Sequence, residues 1–374
     1  MIYFHIPFCK QKCSYCNFHF STSLNQKQDL LLALHKELSL REGELEKKPL
    51  SSIYFGGGTP SLLEVDEIWA LLEKTQRYFD WQEDIEITLE ANPDDLCAAK
   101  LQALSKTPIN RLSIGTQSFF KDDLILMNRA HTASEAVDSI KRSQDFGFEN
   151  LSIDLIYGAM TSNMEIWQEN LRIAMSLEIP HISAYALTVE PKTTLSHWVQ
   201  EKIVPPPSQA LQNDQFHWMS QFLKTQGLSH YEISNFAVPG KESRHNSSYW
   251  NYSPYLGIGP SAHSYDGKSK RSWSVSNNTK YIQSLQKGEL PIEEEILKEK
   301  DRYNEMLMIG LRTRKGVDLK RLQSEFSSEI LAHFGNELTP KIDNGYLKME
   351  GSRLVIPSEH WFMADGIASD LFKI

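Results

Sequence analysis

Cysteine is scarce in this 374-residue chain, four residues in all, and no disulfide framework can be built from so thin a supply. A basic excess is missing too. Lys plus Arg number 39 against 48 Asp plus Glu, a net charge of −9, which disfavours wholesale binding to a phosphate backbone. No uninterrupted apolar run nears the ~20 residues that a bilayer-spanning helix needs. No basic region followed by an apolar stretch opens the chain as a secretory leader would. These absences predict a cytoplasmic protein that does not take nucleic acid as a partner. At 40% hydrophobic residues, the length suffices for one large domain and a smaller one.

Three of the four cysteines crowd into the first sixteen residues, as Cys9-Lys10-Gln11-Lys12-Cys13-Ser14-Tyr15-Cys16. That spacing suits a [4Fe–4S] cluster with one iron left without a protein thiolate. Four thiolates would make an electron carrier with no vacancy; three leave an iron open to a small molecule, which is a place for chemistry. A structural zinc site would instead need a fourth ligand, His5, His19 or Cys97, and would prefer paired C-x-x-C knuckles, of which Cys13 and Cys16 make only one. The spacing favours the cluster. Cys97 shares an apolar helical pattern with Leu96, Leu101 and Leu104 and is expected to be a buried small hydrophobe without chemistry.

Short β-branched or aromatic runs recur at 2–5, 53–55, 85–90, 111–114, 151–156 and 181–187. Helical patterns lie between them at 30–40, 65–79, 94–104, 133–146 and 167–177. Alternation of this kind predicts βα units around a parallel sheet, an incomplete (β/α)6 barrel. Barrel proteins place their chemistry at the carboxyl ends of the strands. There stand the cysteine loop, then Gly56-Gly57-Gly58-Thr59-Pro60, then Glu90-Ala91-Asn92-Pro93, then Gln117, Asp154 and Tyr185-Ala186. Glycines let a backbone approach a ligand closely, although such a turn is by itself ordinary loop geometry. Likewise, polar residues at strand ends serve as often in salt bridges as in sites.

Pro205-Pro206-Pro207 breaks the chain before a helical stretch at 210–225. A dense aromatic segment follows, with Tyr231 to Phe236, Arg244 to Trp250 and Gly257 to His263. From residue 299 the pattern reads as three helices, a hairpin at 346–356 and a last helix at 361–372, a winged-helix-like order in a small α+β domain. That tail carries 11 Lys plus Arg and 12 Asp plus Glu. It lacks the basic footprint of a DNA reader and is expected to cover the barrel or to bind a partner. The expected divisions are a barrel with the cluster and ligand site at 1–204, a cross-over and aromatic segment at 205–298, and the tail at 299–374.

The cysteine loop resembles the C-x3-C-x2-C signature of radical S-adenosylmethionine (SAM) proteins, in which SAM chelates the open iron and the reduced cluster splits its sulfonium. Tyr15 fits the same pattern. With Gly56 to Ser61, Glu90 to Pro93, Arg111 to Ser118, Asp154 to Gly158, Tyr231 to Phe236 and His245 to Trp250, the chain resembles the coproporphyrinogen III oxidase-like radical SAM family over nearly its whole length. The resemblance implies that Cys9, Cys13 and Cys16 hold the cluster. It implies that Tyr3, Tyr15, Gly57, Gly58, Thr59, Glu90, Gln117, Arg129, Asp154 and Ala186 line the SAM pocket, with carboxylates suited to ribose hydroxyls. One departure is Ala159-Met160, where the family usually has Leu-Pro, so the turn after Asp154 is expected to differ.

The family divides into oxygen-independent oxidases and heme chaperones, and the sequence resembles the chaperone branch. Oxidases carry an N-terminal extension, whereas eight residues precede Cys9 here. They also carry a fourth cysteine two residues after the third, where this chain has Cys16-Asn17-Phe18. His245-Asn246-x-x-Tyr249-Trp250 resembles the heme-binding H-N-x-x-Y-W motif of the chaperones. The resemblance then implies heme as a third cofactor, with His245 as iron ligand, Asn246 orienting its ring and Tyr249 and Trp250 packing the macrocycle. It implies heme-accepting client proteins, an electron donor such as a flavodoxin or ferredoxin, and reductive SAM cleavage as accompanying chemistry. Peripheral membrane contact is compatible with such clients, though no amphipathic anchor stands out. The runner-up is an oxygen-independent coproporphyrinogen III oxidase.

Overall fold

A computed structural model describes residues 1–45 and 48–374. Each expected strand of the barrel forms: β1 (Ile2–Ile6), β2 (Leu50–Gly57), β3 (Trp81–Ala91), β4 (Arg111–Gln117), β5 (Leu151–Tyr157) and β6 (His181–Ala186). Parallel pairing joins them in chain order. The connecting helices are α1 (Lys27–Leu40), α2 (Val65–Tyr78), α3 (Ala98–Leu104), α4 (Lys121–Leu126), α5 (Ala133–Asp145) and α6 (Met164–Ser176).

The strands alternate strictly. Ile2, Phe4 and Ile6, Ile53 and Phe55, Ile87 and Leu89, Leu112 and Ile114, and Ile153 and Leu155 are buried against the helix layer. Phe4 and Phe55 stack there with ring centroids 4.7 Å apart. The alternate positions, which face the barrel interior, are polar: Tyr3 and His5, Ser52 and Tyr54, Glu86, Thr88 and Glu90, Arg111 and Ser113, Ser152 and Asp154, His181 and Ser183. An apolar pleat facing the helices and a polar one facing inward fixes the register, because a one-residue slip would exchange the two faces.

The sheet does not stop at six strands. After α7 (Thr194–Gln200) and α8 (Gln209–Thr225), the dense segment forms the hairpin of β7 (Ser229–Glu232) and β8 (Asn235–Ala237). This hairpin pairs antiparallel to β6. Then α9 (Arg244–Trp250) leads to β9 (Leu256–Ile258), which joins the opposite edge parallel to β1. The resulting order is β7-β8-β6-β5-β4-β3-β2-β1-β9. These strands carry too few residues for a period-2 signal, which is why the sequence shows none there.

A buried network locks β9 in place. Glu37 of α1, fully buried, accepts from Arg41 Nη1 at 3.1 Å, from the Gly259 N–H at 2.8 Å and from the Tyr281 hydroxyl at 2.5 Å. Arg41, itself buried, donates to the Gly257 carbonyl at 2.8 Å. Beyond this lie β10 (His263–Tyr265), β11 (Lys270–Ser274), α10 (Asn278–Gln286) and β12 (Ile292–Ile296), the three strands forming a small antiparallel sheet.

The tail runs α11 (Glu299–Leu311), β13 (Val317–Asp318), α12 (Leu319–Glu325), α13 (Ser328–Asp343), β14 (Lys348–Glu350), β15 (Arg353–Val355) and α14 (Ala364–Ser369). That is the expected winged-helix order, with β13 added to the hairpin as a third strand. One expectation fails: Cys97 is exposed. The helix begins at Ala98 rather than at residue 94, and Cys97 precedes it with extended backbone (φ −74°, ψ 161°), off the apolar stripe.

Candidate functional site

The carboxyl ends of β1 to β6 open on one cavity of about 580 Å³, lined by Cys9, Cys13, Tyr15, Cys16, Gly57, Gly58, Thr59, Glu90, Gln117, Arg129, Asp154 and Ala186. The cysteine loop is held at its base and at its side. The Cys9 N–H donates to the Ser21 carbonyl at 3.0 Å, and the Ser21 N–H to the Pro7 carbonyl at 2.8 Å. Across the loop, the Ser14 hydroxyl donates to the Leu126 carbonyl at 2.7 Å and the Asn128 amide to the Lys12 carbonyl at 2.7 Å. Lys10 bridges to Asp94 and Asp95 beyond β3.

Two glycines are required here by geometry. A Cβ on Gly58 would stand 2.6 Å from the Phe8 carbonyl and 2.9 Å from that of Ile6, both backbone atoms that cannot swing away. Gly57 has φ +110°, outside the range of other residues. Its N–H donates to Glu90 Oε2 at 3.2 Å, while the Tyr54 hydroxyl donates to Oε1 at 2.8 Å. Glu90 is therefore aimed. Burial, with Asp154 adding repulsion, raises its pKa to about 7. Burial likewise raises Asp154 to about 6, against the pull of Ser183, Arg111, Arg129 and Ser113. Gln117, buried, holds a left-handed backbone (φ 67°) at the end of β4, a strained conformation for a residue with a side chain.

Arg129 forms the wall between cluster loop and carboxylates. Its Nη2 donates to Asn92 Oδ1 and to the Gly115 carbonyl, both at 2.7 Å, and its Nη1 to Cys13 Sγ at 3.2 Å. Burial opposes its charge, but Tyr15 and Cys13 hold its pKa above the ordinary value.

Sequence models of the Radical SAM superfamily and of the HemN C-terminal domain match residues 3–174 and 297–362. The heme chaperone HemW of Lactococcus lactis is 33% identical over 354 residues, 94% of this chain and 92% of that one. HemW of Bacillus subtilis is 33% identical over 349 residues, covering 92% of each chain. The chain belongs to the heme chaperone branch of the coproporphyrinogen III oxidase-like radical SAM family. The mitochondrial radical S-adenosyl methionine domain-containing protein 1 of Bos taurus is 34% identical over 265 residues, 70% of this chain and 60% of that one. In fold, the chain matches the Escherichia coli coproporphyrinogen III oxidase HemN with TM-score 0.85 at 22% identity, over 100% of this chain and 89% of that one.

Membership in a radical SAM family implies a [4Fe–4S] cluster and SAM. The donor set fits them: three thiols, an arginine donating to one of them, a glycine-rich backbone and two aimed carboxylates share one cavity. Among the described residues, no three His, Cys, Asp or Glu side chains converge as ligands of a single ion; the thiols stand around the cavity wall. Sequence reasoning missed Tyr54, Ser113 and Ser183 and named Asn92 only as a strand-end residue; all four hold the pocket residues in place. The inward alternation of polar residues along β2 to β6 was the signal that could have found them.

The remaining expected residues lie elsewhere. Tyr3 sits below the cavity, stacked on Tyr54 at 6.0 Å, its hydroxyl 3.3 Å from His5 Nδ1. His245 plugs the opposite end of the barrel, 1% exposed. Its Nδ1 lies 2.9 Å from the Ser52 hydroxyl, its Nε2 3.1 Å from the Tyr249 hydroxyl, and its ring 4.9 Å from that of Tyr54. Glu86 accepts from the His245 N–H at 3.0 Å and from the Arg244 N–H at 3.1 Å, seating α9 on the barrel floor. As folded here, both imidazole nitrogens of His245 lie against hydroxyl groups, so the ligand role expected from the sequence requires that these contacts open. Trp250 and Asn246 are half-buried beside it.

Burial lowers the His245 pKa from 6.5 to about 3. Because the folded value lies below the unfolded one, its contribution to stability is whole above pH 6.5 and is lost as pH falls toward 3. The difference in unfolding free energy between wild type and His245→Gln is therefore expected to shrink by about 1.4 kcal/mol per pH unit below 6.5. Urea titrations of both proteins at pH 7.5, 6.0 and 5.0 measure it; a pH-independent difference would contradict a buried, neutral His245.

Proposed function

We propose that this protein is a cytoplasmic heme chaperone that binds a [4Fe–4S] cluster, SAM and heme, and passes heme to client proteins. The observation that carries the reading is the convergence of Cys9, Cys13 and Cys16 with Glu90, Arg129 and Asp154 on one cavity, in a chain one third identical to HemW proteins over nearly its full length. The cluster, when bound, would supply one electron to the sulfonium of SAM at the open iron.

The chain's own residues prepare that place. Gly57 and Gly58 bring backbone against the ligand, and Gln117 turns inward from its strained backbone. Glu90 and Asp154 accept from the nucleoside's hydroxyl and amino groups, and Arg129 donates to the Cys13 sulfur. Heme ligation by His245 belongs to this reading with α9 lifted from the barrel floor, since its nitrogens are otherwise paired. The electron donor is a flavodoxin or ferredoxin. No helix among the described residues is long and apolar enough to cross a membrane.

The reading separates from the oxidase alternative by turnover. Anaerobic, cluster-reconstituted protein with SAM, reductant and coproporphyrinogen III is expected to release no carbon dioxide from the propionates. Stoichiometric formation of protoporphyrinogen would move the protein to the oxidases, where Phe18, 68% exposed beside the cluster loop, would then stand in place of the fourth cysteine.

A further inference from the structure

Below the SAM cavity, the barrel interior holds a cation that the site residues above do not include. Arg111 projects inward from the start of β4, two positions before Ser113, and is 1% exposed. Its Nε has no hydrogen-bond partner, and neither has the hydroxyl of Thr88, its register partner on β3. A buried guanidinium with an unpaired nitrogen is costly and is kept where its charge is used. On the inward face Thr88 stands two residues before Glu90, and Ser113, whose hydroxyl donates to Asp154 at 3.5 Å, two residues after Arg111, so Arg111 occupies the row beneath both carboxylates; Tyr54, Asp154, Glu90, His181, Tyr231 and His245 feel its field. The histidines among them are buried and neutral. The other interior arginine, Arg129, is spent on Cys13, Asn92 and Gly115. Arg111 is thus the charge beneath the cavity.

We infer that Arg111 is a positioning residue of the SAM site, supplying from the barrel floor the positive charge that lets Glu90 and Asp154 stand together in one cavity as acceptors. Two carboxylates in a low-dielectric space repel, and one of them takes a proton unless a cation is near. A protonated carboxyl has fewer acceptor positions and presents a donor to the donor groups of SAM. Glu90 also faces Tyr54, Asp154, Tyr3, Tyr185 and Tyr249, and Asp154 faces Tyr54, Tyr185, Ser183, Arg129 and Ser113. Of these groups only Arg111 and Arg129 carry positive charge, and Arg129 is already bonded to Cys13, Asn92 and the Gly115 carbonyl.

The inference rests on the SAM reading of this cavity and is tested by SAM affinity across pH. Wild-type, Arg111→Met, Arg111→Gln and Arg111→Lys proteins, cluster-reconstituted and anaerobic, are titrated with SAM by equilibrium dialysis from pH 6 to 9. In Met and Gln variants the midpoint of binding against pH is expected to rise by about one unit, so that affinity is lost near neutrality and regained at pH 9. Lysine, which keeps the charge, should leave the midpoint near that of wild type. A merely structural Arg111 would weaken binding equally at every pH, and parallel profiles would overturn the inference. Arg111→Gln keeps a polar group on the floor and gives the answer should Arg111→Met not fold. Wild-type protein that binds no SAM at any pH would instead overturn the reading on which the inference rests.

Discussion

Replacing Cys9, Cys13 and Cys16 together with alanine is expected to take the iron content of the reconstituted protein from about four per chain to a background level. SAM affinity should fall with it by at least about a hundredfold. Both losses follow from the same geometry. The three thiols belong to one loop, closed at its base by Cys9 and Ser21 and clamped along its side by Leu126 and Asn128. No other cysteine lines the cavity, and Cys97 is exposed on the start of α3. Cys97→Ala is the control and should leave iron content, absorbance and SAM affinity unchanged. Folding should survive the triple replacement, because the loop's anchoring bonds are made by backbone atoms, Ser14 and Asn128 rather than by the thiols. Iron analysis with visible absorbance, beside far-ultraviolet circular dichroism, separates cluster loss from unfolding. Full iron content in the triple variant would remove the cluster assignment.

Loss of Glu37 is expected to cost about 3–5 kcal/mol of stability. Its carboxylate is the common acceptor for Arg41, the Gly259 N–H and the Tyr281 hydroxyl. Glu37→Ala leaves the last two without a partner in a dry place and weakens the hold on Arg41, which keeps Glu44, Ser264 and the Gly257 carbonyl. Against a total stability of order 5–15 kcal/mol, this is a large fraction. Since β9 sits beside β1, from which the cysteine loop departs, the variant should also incorporate less cluster at 37 °C. Urea unfolding of Glu37→Ala and Glu37→Gln measures the effect, with the glutamine variant expected between alanine and wild type. A loss below about 1 kcal/mol would show that β9 is held by its backbone ladder alone.

Much of this architecture was legible because its signals are local and periodic. The six inner strands alternate apolar and polar residues, and α2 and α5 carry apolar stripes, so those elements appear close to where they were expected. The cysteine loop was legible for a different reason: three ligands within eight residues leave few other chemistries. What the sequence hid depends on contacts between distant segments. β7, β8 and β9 are three or four residues each and exist only because an edge of the sheet is there to receive them. Cys97 was misjudged because α3 starts at Ala98 rather than at residue 94, which leaves Cys97 outside the helix. The seat of His245 was hidden because it is decided by Ser52 and Glu86, more than 150 residues away in sequence. Arg111 reads in sequence as an ordinary strand residue, and its isolation becomes apparent only when β3 to β6 curve around it.

The most direct test of the chaperone reading is an anaerobic absorbance titration of heme into the cluster-reconstituted protein, with the His245→Ala variant beside it. The account predicts saturable binding near one heme per chain in the wild type, and binding that weakens in the variant in step with its ligand role. Absence of saturable heme binding in folded, cluster-loaded wild-type protein would contradict the account.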